Sequence, residues 1–311
     1  MSILLAVLVC VAGAFQEHPQ LKVAVNLVNV SFTVHDSQGR FVPDLTANDF
    51  EVLEDGQPQK IQFFEHAADL PLNVGLVVDF SGSQDRFVKA HHQDLQEFLD
   101  DVLGPRDRAF LLCFGNHLRL VQDFTSSAGD LMEGLKDFEH NKRHYPELGP
   151  PDEERELGTG FYDAIYYPIT EKMAGAAGGQ KALLVFSDGE DNSSAHHMMD
   201  AIEAAQKENV RVYGLRYTES KHGRLTARNK YGIRVMERVA RETGAADYDA
   251  REGDLAAWLR EIREELRSSY DLAYPSTNPT RDGSFRKITV RAKRAGMVVR
   301  AKPGYFAEPS S

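Results

Sequence analysis

An apolar run gives way to short polar residues in the stretch VGLVVDFSGS, residues 74–83. Its first half, residues 74–78, is typical of a strand that is buried on both faces of a parallel sheet. Asp79, Ser81 and Ser83 follow at alternate positions, so one carboxylate and two hydroxyls lie where the strand ends. Oxygen atoms of this kind are the ligands that a hard cation prefers. The stretch therefore predicts a central strand that ends at a metal site.

Two later segments supply further oxygen ligands. Thr159 precedes a helical pattern in GTGFYDA, residues 158–164, and Asp188 ends an apolar run in LLVFSDGED, residues 183–191. In an open α/β sheet, ligands bind at the carboxyl ends of the strands, near the point where the strand order reverses. We therefore expect one divalent metal site with five ligand candidates: Asp79, Ser81, Ser83, Thr159 and Asp188.

Three neighbouring acids are given other roles. Glu190 and Asp191 are interpreted as solvated loop acids, with Asp191 as an alternative or supporting oxygen ligand. Asp163 lies one helical turn beyond Thr159, and we expect it to face solvent or to support the loop.

The central part of the chain alternates apolar strands with amphipathic helices from about residue 72 onwards. This alternation predicts a doubly wound, mostly parallel α/β sheet of the Rossmann-like class, with helices on both faces. The helical spacing of apolar residues is clear in residues 95–102 and in residues 255–266. The expected strands are residues 73–79, 108–114, 118–123, 181–187, 210–216 and 246–249.

Both ends of the chain carry strand signals. Residues 23–35 alternate between apolar and polar side chains, and residues 50–63 form a hairpin pattern around Asp55-Gly56. Alternation returns after Ser269, and a few short strands are marginal alone. We therefore expect the two ends to form one small antiparallel β module beside the α/β domain. The predicted divisions are a signal peptide (1–14), the N-terminal β module (20–70), the α/β domain (71–265) and the C-terminal β segment (266–311).

Composition and the first residues point to a secreted or periplasmic protein. The 311-residue chain has a net charge of −11, which argues against a nucleic-acid-binding surface. Residues 1–14 form an apolar run ending in Ala12-Gly13-Ala14, as a cleaved signal peptide does. They lack a Lys or Arg near the start, so a buried strand or a short anchor remains an alternative. After cleavage Cys113 is the only cysteine, which rules out an intrachain disulfide, and no later stretch is expected to span a membrane.

The residues around 79–83, Thr159 and Asp188 resemble the metal-ion-dependent adhesion site of von Willebrand factor type A (vWA) domains, which integrin I domains share. The resemblance covers residues 71–262. It implies a Rossmann-like vWA fold that binds Mg²⁺, with Ser81, Ser83 and Thr159 as direct or near-direct ligands and with Asp79 and Asp188 often acting through water. The flanking β segments and the Gly304-Tyr305 pair also resemble the bacterial VWFA-related family.

The favoured function is a non-enzymatic, adhesion-type module that grips an exposed Asp or Glu of a protein partner through Mg²⁺, with Mn²⁺ or Ca²⁺ as alternatives. A metal-dependent phosphate or ester hydrolase and a structural envelope protein with a stabilising metal remain as alternatives. The sequence contains no phosphate-binding Gly-rich loop with Lys, no His-Glu-x-x-His and no Gly-x-Ser-x-Gly.

Two polar segments are candidates for partner recognition. Residues 139–157 precede the Thr159 loop and either border the metal site or form an ordinary solvated loop. Residues 220–230 form a basic island in an acidic chain, which either docks an acidic surface or balances local charge.

Overall fold

The computed structural model describes most of the chain, in the ranges 27–81, 84–115, 117–150, 158–176, 178–218, 224–250 and 254–308. The predicted signal peptide and the predicted ligand Ser83 lie outside these ranges.

The strands are β1 (Leu27–His35), β2 (Phe50–Glu54), β3 (Gln57–Gln59), β4 (Phe63–His66), β5 (Leu72–Asp79), β6 (Arg108–Phe114), β7 (Leu118–Thr125), β8 (Gln180–Phe186), β9 (Val210–Arg216), β10 (Asp247–Asp249), β11 (Tyr270–Pro275), β12 (Phe285–Ala292), β13 (Val298–Ala301) and β14 (Gly304–Phe306). The α-helices are α1 (Gln84–Ala90), α2 (His92–Val102), α3 (Ala128–Glu139), α4 (Asp163–Tyr167), α5 (Met198–Lys207), α6 (Ala227–Glu242) and α7 (Leu255–Ser268). Helix α4 continues into a π-helical segment, Pro168–Met173. None of the helices in the described ranges has the length and apolar character needed to span a membrane.

The central sheet has six strands in the order β10-β9-β8-β5-β6-β7. All neighbouring pairs are parallel except β6 and β7, which run antiparallel. Strand β5 lies between β6 and β8, so the strand order reverses there, and every residue of β5 is buried. The carboxyl end of β5 is therefore the place where such a sheet binds ligands.

Helices cover both faces of this sheet, because alternate residues of its buried strands point to opposite sides. On one face, α2, α3 and α7 bury residues such as Leu99, Leu131 and Leu259. On the other face, α5 and α6 bury residues such as Ile202 and Val235. The predicted doubly wound, mostly parallel α/β fold is confirmed.

The two chain ends form two four-stranded sheets, ordered β13-β1-β11-β4 and β14-β12-β2-β3. Each sheet contains strands from both ends, and the two sheets share one apolar core that includes Phe32, Phe50 and Tyr270. The hairpin between β2 and β3 turns at Asp55 and Gly56, which have φ angles of 47° and 82°. The small antiparallel β module built from both chain ends is thus confirmed, and it consists of two sheets.

A buried polar seam joins the amino edge of the central sheet to these strands. Arg211 of β9 is 2% exposed and donates hydrogen bonds to Gln180 Oε1 (2.5 Å) and to Ser269 Oγ (3.0 Å). Glu265 of α7 is fully buried and pairs with Arg300 of β13, while Oε1 lies 3.8 Å from Arg211 Nη1. The seam therefore holds α7 and β13 against the same end of the sheet.

Lys302 lies buried near this seam and gives the fold a pH dependence. Its Nζ donates to the Gln206 carbonyl (2.7 Å), and burial lowers the pKa of the ammonium from 10.5 to about 7, against the opposing charges of Asp271 and Glu208. Between these pKa values the folded protein binds fewer protons than the unfolded chain, so stability rises with pH across this window. We expect Lys302→Met to remove a slope of roughly 1 kcal/mol per pH unit from the free energy of unfolding above about pH 7.

Urea unfolding at several pH values measures this slope. The exposed Lys60, in the same β region, offers a control: Lys60→Met should keep the slope of the unchanged protein. Equal slopes for the unchanged protein and for Lys302→Met would show that the buried amine does not titrate in this window.

Candidate metal centre

Asp79 lies at the end of β5, level with the ends of both neighbouring strands. It is paired in register with Phe114 of β6, and Val78 is paired with Phe186 of β8. Because Asp188 follows Phe186 by two residues, the two carboxylates leave adjacent strands at the same edge of the sheet. The side chain of Asp79 is fully buried, so water does not solvate its charge.

The Asp79 carboxylate is fixed by hydroxyl and amide donors. Oδ1 accepts hydrogen bonds from the backbone N–H (2.8 Å) and from the hydroxyl (2.6 Å) of Ser81, and Oδ2 accepts from Ser187 Oγ (2.8 Å). A hydroxyl that donates its proton to a carboxylate keeps its lone pairs for another partner. The Ser81 hydroxyl is therefore already oriented with its proton towards Asp79 and its lone pairs available to a cation.

The loop that carries Thr159 reaches the same edge through backbone contacts. Phe80 N donates to Phe114 O (2.8 Å), and Gly160 N donates to Gly115 O (3.2 Å), so both loops border the end of β6. Thr159 itself is 8% exposed. The carboxyl end of β6 thus lies between the Asp79 loop and the Thr159 loop.

Asn192 joins the Thr159 loop to the loop after β8. Thr159 N donates to Asn192 Oδ1 (2.6 Å), and Asn192 N donates back to Thr159 O (3.1 Å). Together with the contacts at β5 and β6, this pair brings the loops of Asp79, Thr159 and Asp188 to one edge. Ser83, the fifth predicted ligand, lies outside the described residues.

Two acids support the site in ways that sequence analysis only partly anticipated. Asp191 is half-buried, and its Oδ1 accepts from Phe161 N (2.8 Å) and Tyr162 N (3.3 Å), so it holds the residues that lead into α4. Asp163 is fully buried and accepts from the N–H groups of Ala195 and His196, both at 3.0 Å. The solvent-facing alternative for Asp163 is wrong, because those two amides need an acceptor; the supporting role is correct.

The charges at this edge repel one another. Burial raises the pKa of the Asp79 carboxyl to about 7, and the nearby charge of Asp188 adds to the rise, while the Ser81 and Ser187 hydrogen bonds oppose it. Burial also raises the pKa of Asp188, although the Arg228 guanidinium acts against this. A bound cation would relieve both carboxylates.

The donor set fits a hard divalent cation. Two carboxylates and the hydroxyls of serine and threonine offer oxygen atoms only, as Mg²⁺ prefers. Within the described ranges no group of three or more His, Cys, Asp or Glu residues could hold a metal ion. A metal here would therefore depend on the hydroxyl ligands and retain a high effective charge.

The geometry of this edge matches the arrangement that the sequence resemblance implies: a strand-order reversal at β5, with an Asp-x-Ser loop, a Thr loop and an Asp loop around it. The central domain has a vWA-like fold. Helix α6 closes one side of the candidate site, since a Cβ at Gly232 would lie 2.4 Å from Asp188 O and a Cβ at Gly189 would lie 2.5 Å from Gly232 O. Only glycine permits this close approach of helix and loop.

Known proteins that resemble this chain were found only among solved structures. No family model matches the chain, and no curated protein matches it. Among solved structures, the vWF domain of the type V pili tip protein Mfa5 from Porphyromonas gingivalis has a TM-score of 0.30 and 18% identity, over 39% of this chain and 38% of that chain. The conserved hypothetical protein BatB from Bacteroides thetaiotaomicron has a TM-score of 0.41 and 14% identity, over 63% of this chain and 98% of that chain.

A third similar structure is proximal thread matrix protein 1 from the mussel byssus, solved with a zinc-occupied MIDAS motif. Its TM-score is 0.46 with 12% identity, over 68% of this chain and 49% of that chain. This chain thus spans about half the length of the mussel protein and 38% of the Mfa5 domain structure. At these identities and TM-scores, no ligand or partner carries over to the vWA-like domain described above.

Proposed function

We propose that this protein is a secreted or periplasmic binding module that grips an acidic residue of a protein partner through a divalent cation, with Mg²⁺ as the resident ion. Asp79, Ser81, Thr159 and Asp188 would hold the ion, together with Ser83. The observation that carries the proposal is the fully buried Asp79 carboxylate at the end of β5, beside the half-buried Asp188 that follows β8, with the Ser81 hydroxyl already oriented against Asp79. When bound, such an ion supplies an electrophilic centre that a carboxylate from another molecule can bind.

A binding role is favoured over hydrolysis by the state of Asp79. Both of its oxygens accept hydrogen bonds, and the side chain is fully buried. A nucleophilic carboxylate must reach its substrate, whereas a carboxylate that orients hydroxyl ligands is expected to be buried and fully hydrogen-bonded. Asp79 is therefore suited to orienting the hydroxyl ligands of a metal rather than to attacking a substrate.

The test uses a peptide in which a single Asp lies among Gly and Ser, with a matched peptide carrying Asn instead. We expect the Asp peptide to bind the protein in the presence of Mg²⁺ and to be released by EDTA. Its affinity for the Ser81→Ala variant should be at least about tenfold lower, because that variant loses a metal ligand or its support. Ser127→Ala is a matched control, because Ser127 caps α3 by accepting from Asp130 N and should leave peptide binding unchanged. Binding of the Asn peptide with equal affinity, or binding that survives EDTA, would contradict the proposal.

A further inference from the structure

The exposed surface around the start of α6 is strongly basic. Arg224, Arg228, Lys230 and Arg234 are all exposed, and we call these four residues the basic collar. Arg228 pairs with Glu190 but its side chain is still 58% exposed. Arg224, Lys230 and Arg234 form no ion pair with any acid in the described parts of the chain.

The collar begins beside the candidate metal centre. Arg228 and Asn229 both contact the Glu190 carboxylate, two residues after Asp188, with Asn229 Nδ2 at 3.2 Å from Oε1. Tyr231, 52% exposed, places its hydroxyl 3.3 Å from that of Tyr162, in the segment that follows Thr159. The first turns of α6 therefore border both the Asp188 loop and the Thr159 loop.

This arrangement differs from that of other surface arginines in the protein. Arg263 lies 3.1 Å from Asp101, and Arg40 lies 2.7 Å from Asp36, so their charges are locally balanced. Three of the four collar residues, Arg224, Lys230 and Arg234, have no such acid among the described residues, and the amino end of a 16-residue helix adds a partial positive charge beside them. A chain of net charge −11 does not need such a patch for solubility.

The spacing of the collar suits an extended acidic segment. Lys230 and Arg234 are one helical turn apart, which puts their Cβ atoms about 5–6 Å from each other. In an extended peptide, side chains on the same face are about 6–7 Å apart. Acids at alternate positions of a partner segment would therefore meet successive collar cations. The overall negative charge of the protein disfavours a long polyanion such as nucleic acid.

We propose that the basic collar is a second recognition subsite, which binds further acidic residues of an extended protein segment whose leading Asp or Glu is held at the metal centre. This inference rests on the proposed function, and it adds the chemistry of the partner: a protein segment with a run of acids at alternate positions. Charge steering by the collar would also make binding depend on ionic strength.

The test compares two peptides of equal length in Mg²⁺. One contains a single Asp among Gly and Ser, and the other has the same Asp followed by Glu at alternate positions. We expect the second peptide to bind at least about tenfold more tightly, and the double change Lys230→Glu with Arg234→Glu to remove that gain while leaving the affinity for the single-Asp peptide nearly unchanged. Lys287→Glu, at an exposed lysine of β12, makes the same kind of charge change away from the site and should preserve the gain.

The outcomes separate the two proposals. Equal binding of the two peptides, or a gain that survives the double change, overturns the collar even when the single-Asp peptide binds in a metal-dependent way. A gain that disappears in the double variant but does not respond to EDTA supports the collar and contradicts the metal grip. Binding of a single-stranded DNA of similar charge as tightly as the acidic peptide would contradict the choice of a protein partner, and failure to bind either peptide would contradict both proposals.

Discussion

Asp79→Asn is expected to abolish Mg²⁺ uptake, lowering the affinity by about 100-fold or more, since it removes the buried charge around which the site is arranged. Asparagine has nearly the same shape, so the loop should keep its course. Isothermal titration calorimetry with Mg²⁺ measures the effect. Glu190→Gln is the matched control, because it removes a charge two residues from Asp188 that is paired with Arg228; it should retain uptake.

The same substitution should stabilise the protein in the absence of metal. The pKa of Asp79 is raised from 3.8 to about 7, so the folded protein holds a proton that the unfolded chain releases, and stability falls as pH rises through this window. Above about pH 7 the buried negative charge costs stability, and Asp79→Asn should recover about 1–3 kcal/mol in EDTA. A variant that loses both metal uptake and stability would instead indicate that the loop had collapsed.

Glu265→Ala is expected to destabilise the fold by about 3–5 kcal/mol, because it leaves the buried Arg211 and its neighbour Arg300 without their shared acid. Glu265 is fully buried, and Arg211 Nη1 lies 3.8 Å from its Oε1. The removal of one partner from a buried ion pair costs much more than the pair itself contributes. Urea unfolding, with the midpoint and slope fitted together, gives the difference in the free energy of unfolding.

A control lies on the same helix. Arg263 pairs with Asp101 at 3.1 Å at the surface, with side chains that are 35% and 56% exposed, so Arg263→Ala should cost no more than about 1 kcal/mol. Similar losses for the two variants would show that Glu265 is not the element that ties α7 to the amino edge of the sheet and to β13.

Much of the α/β domain could be predicted because its strands are buried on both faces. Continuous apolar runs predicted β6 and β9 at residues 108–114 and 210–216, which are their observed bounds. The antiparallel direction of β7 was not predicted, since side-chain alternation does not encode strand direction. The division of the β module into two sheets depends on which strands pair across more than 200 residues, and local sequence patterns do not report such pairing.

The candidate site was only partly predictable for a similar reason. Asp79 and Asp188 could be placed together because each ends an apolar run, and parallel strands share a carboxyl edge. The roles of Asp163, Asp191 and Asn192 were missed or only partly seen, because they depend on backbone amides some 30 residues away in sequence. The cluster of short polar residues at 191–194 was the available signal, as such residues commonly bond to nearby backbone groups in loops.

The buried seam was the least predictable feature. Arg211 follows Val210 in a strand, and a charged residue there would ordinarily be placed at an exposed end. Glu265 offered a weak signal, because it lies beside Leu266 on the helical face that carries Ile262. Recognising the pair requires knowing that α7 and β9 meet, which only the tertiary structure supplies.

A calorimetric titration of the metal-free protein with Mg²⁺, at a pH above 7 where Asp79 is ionised, tests the cation site at the end of β5. We expect uptake of a single ion per chain, which raises the melting temperature and is lost in Asp79→Asn. Absence of uptake, or an equal affinity in Asp79→Asn, would contradict a cation site at the junction of β5 and β8.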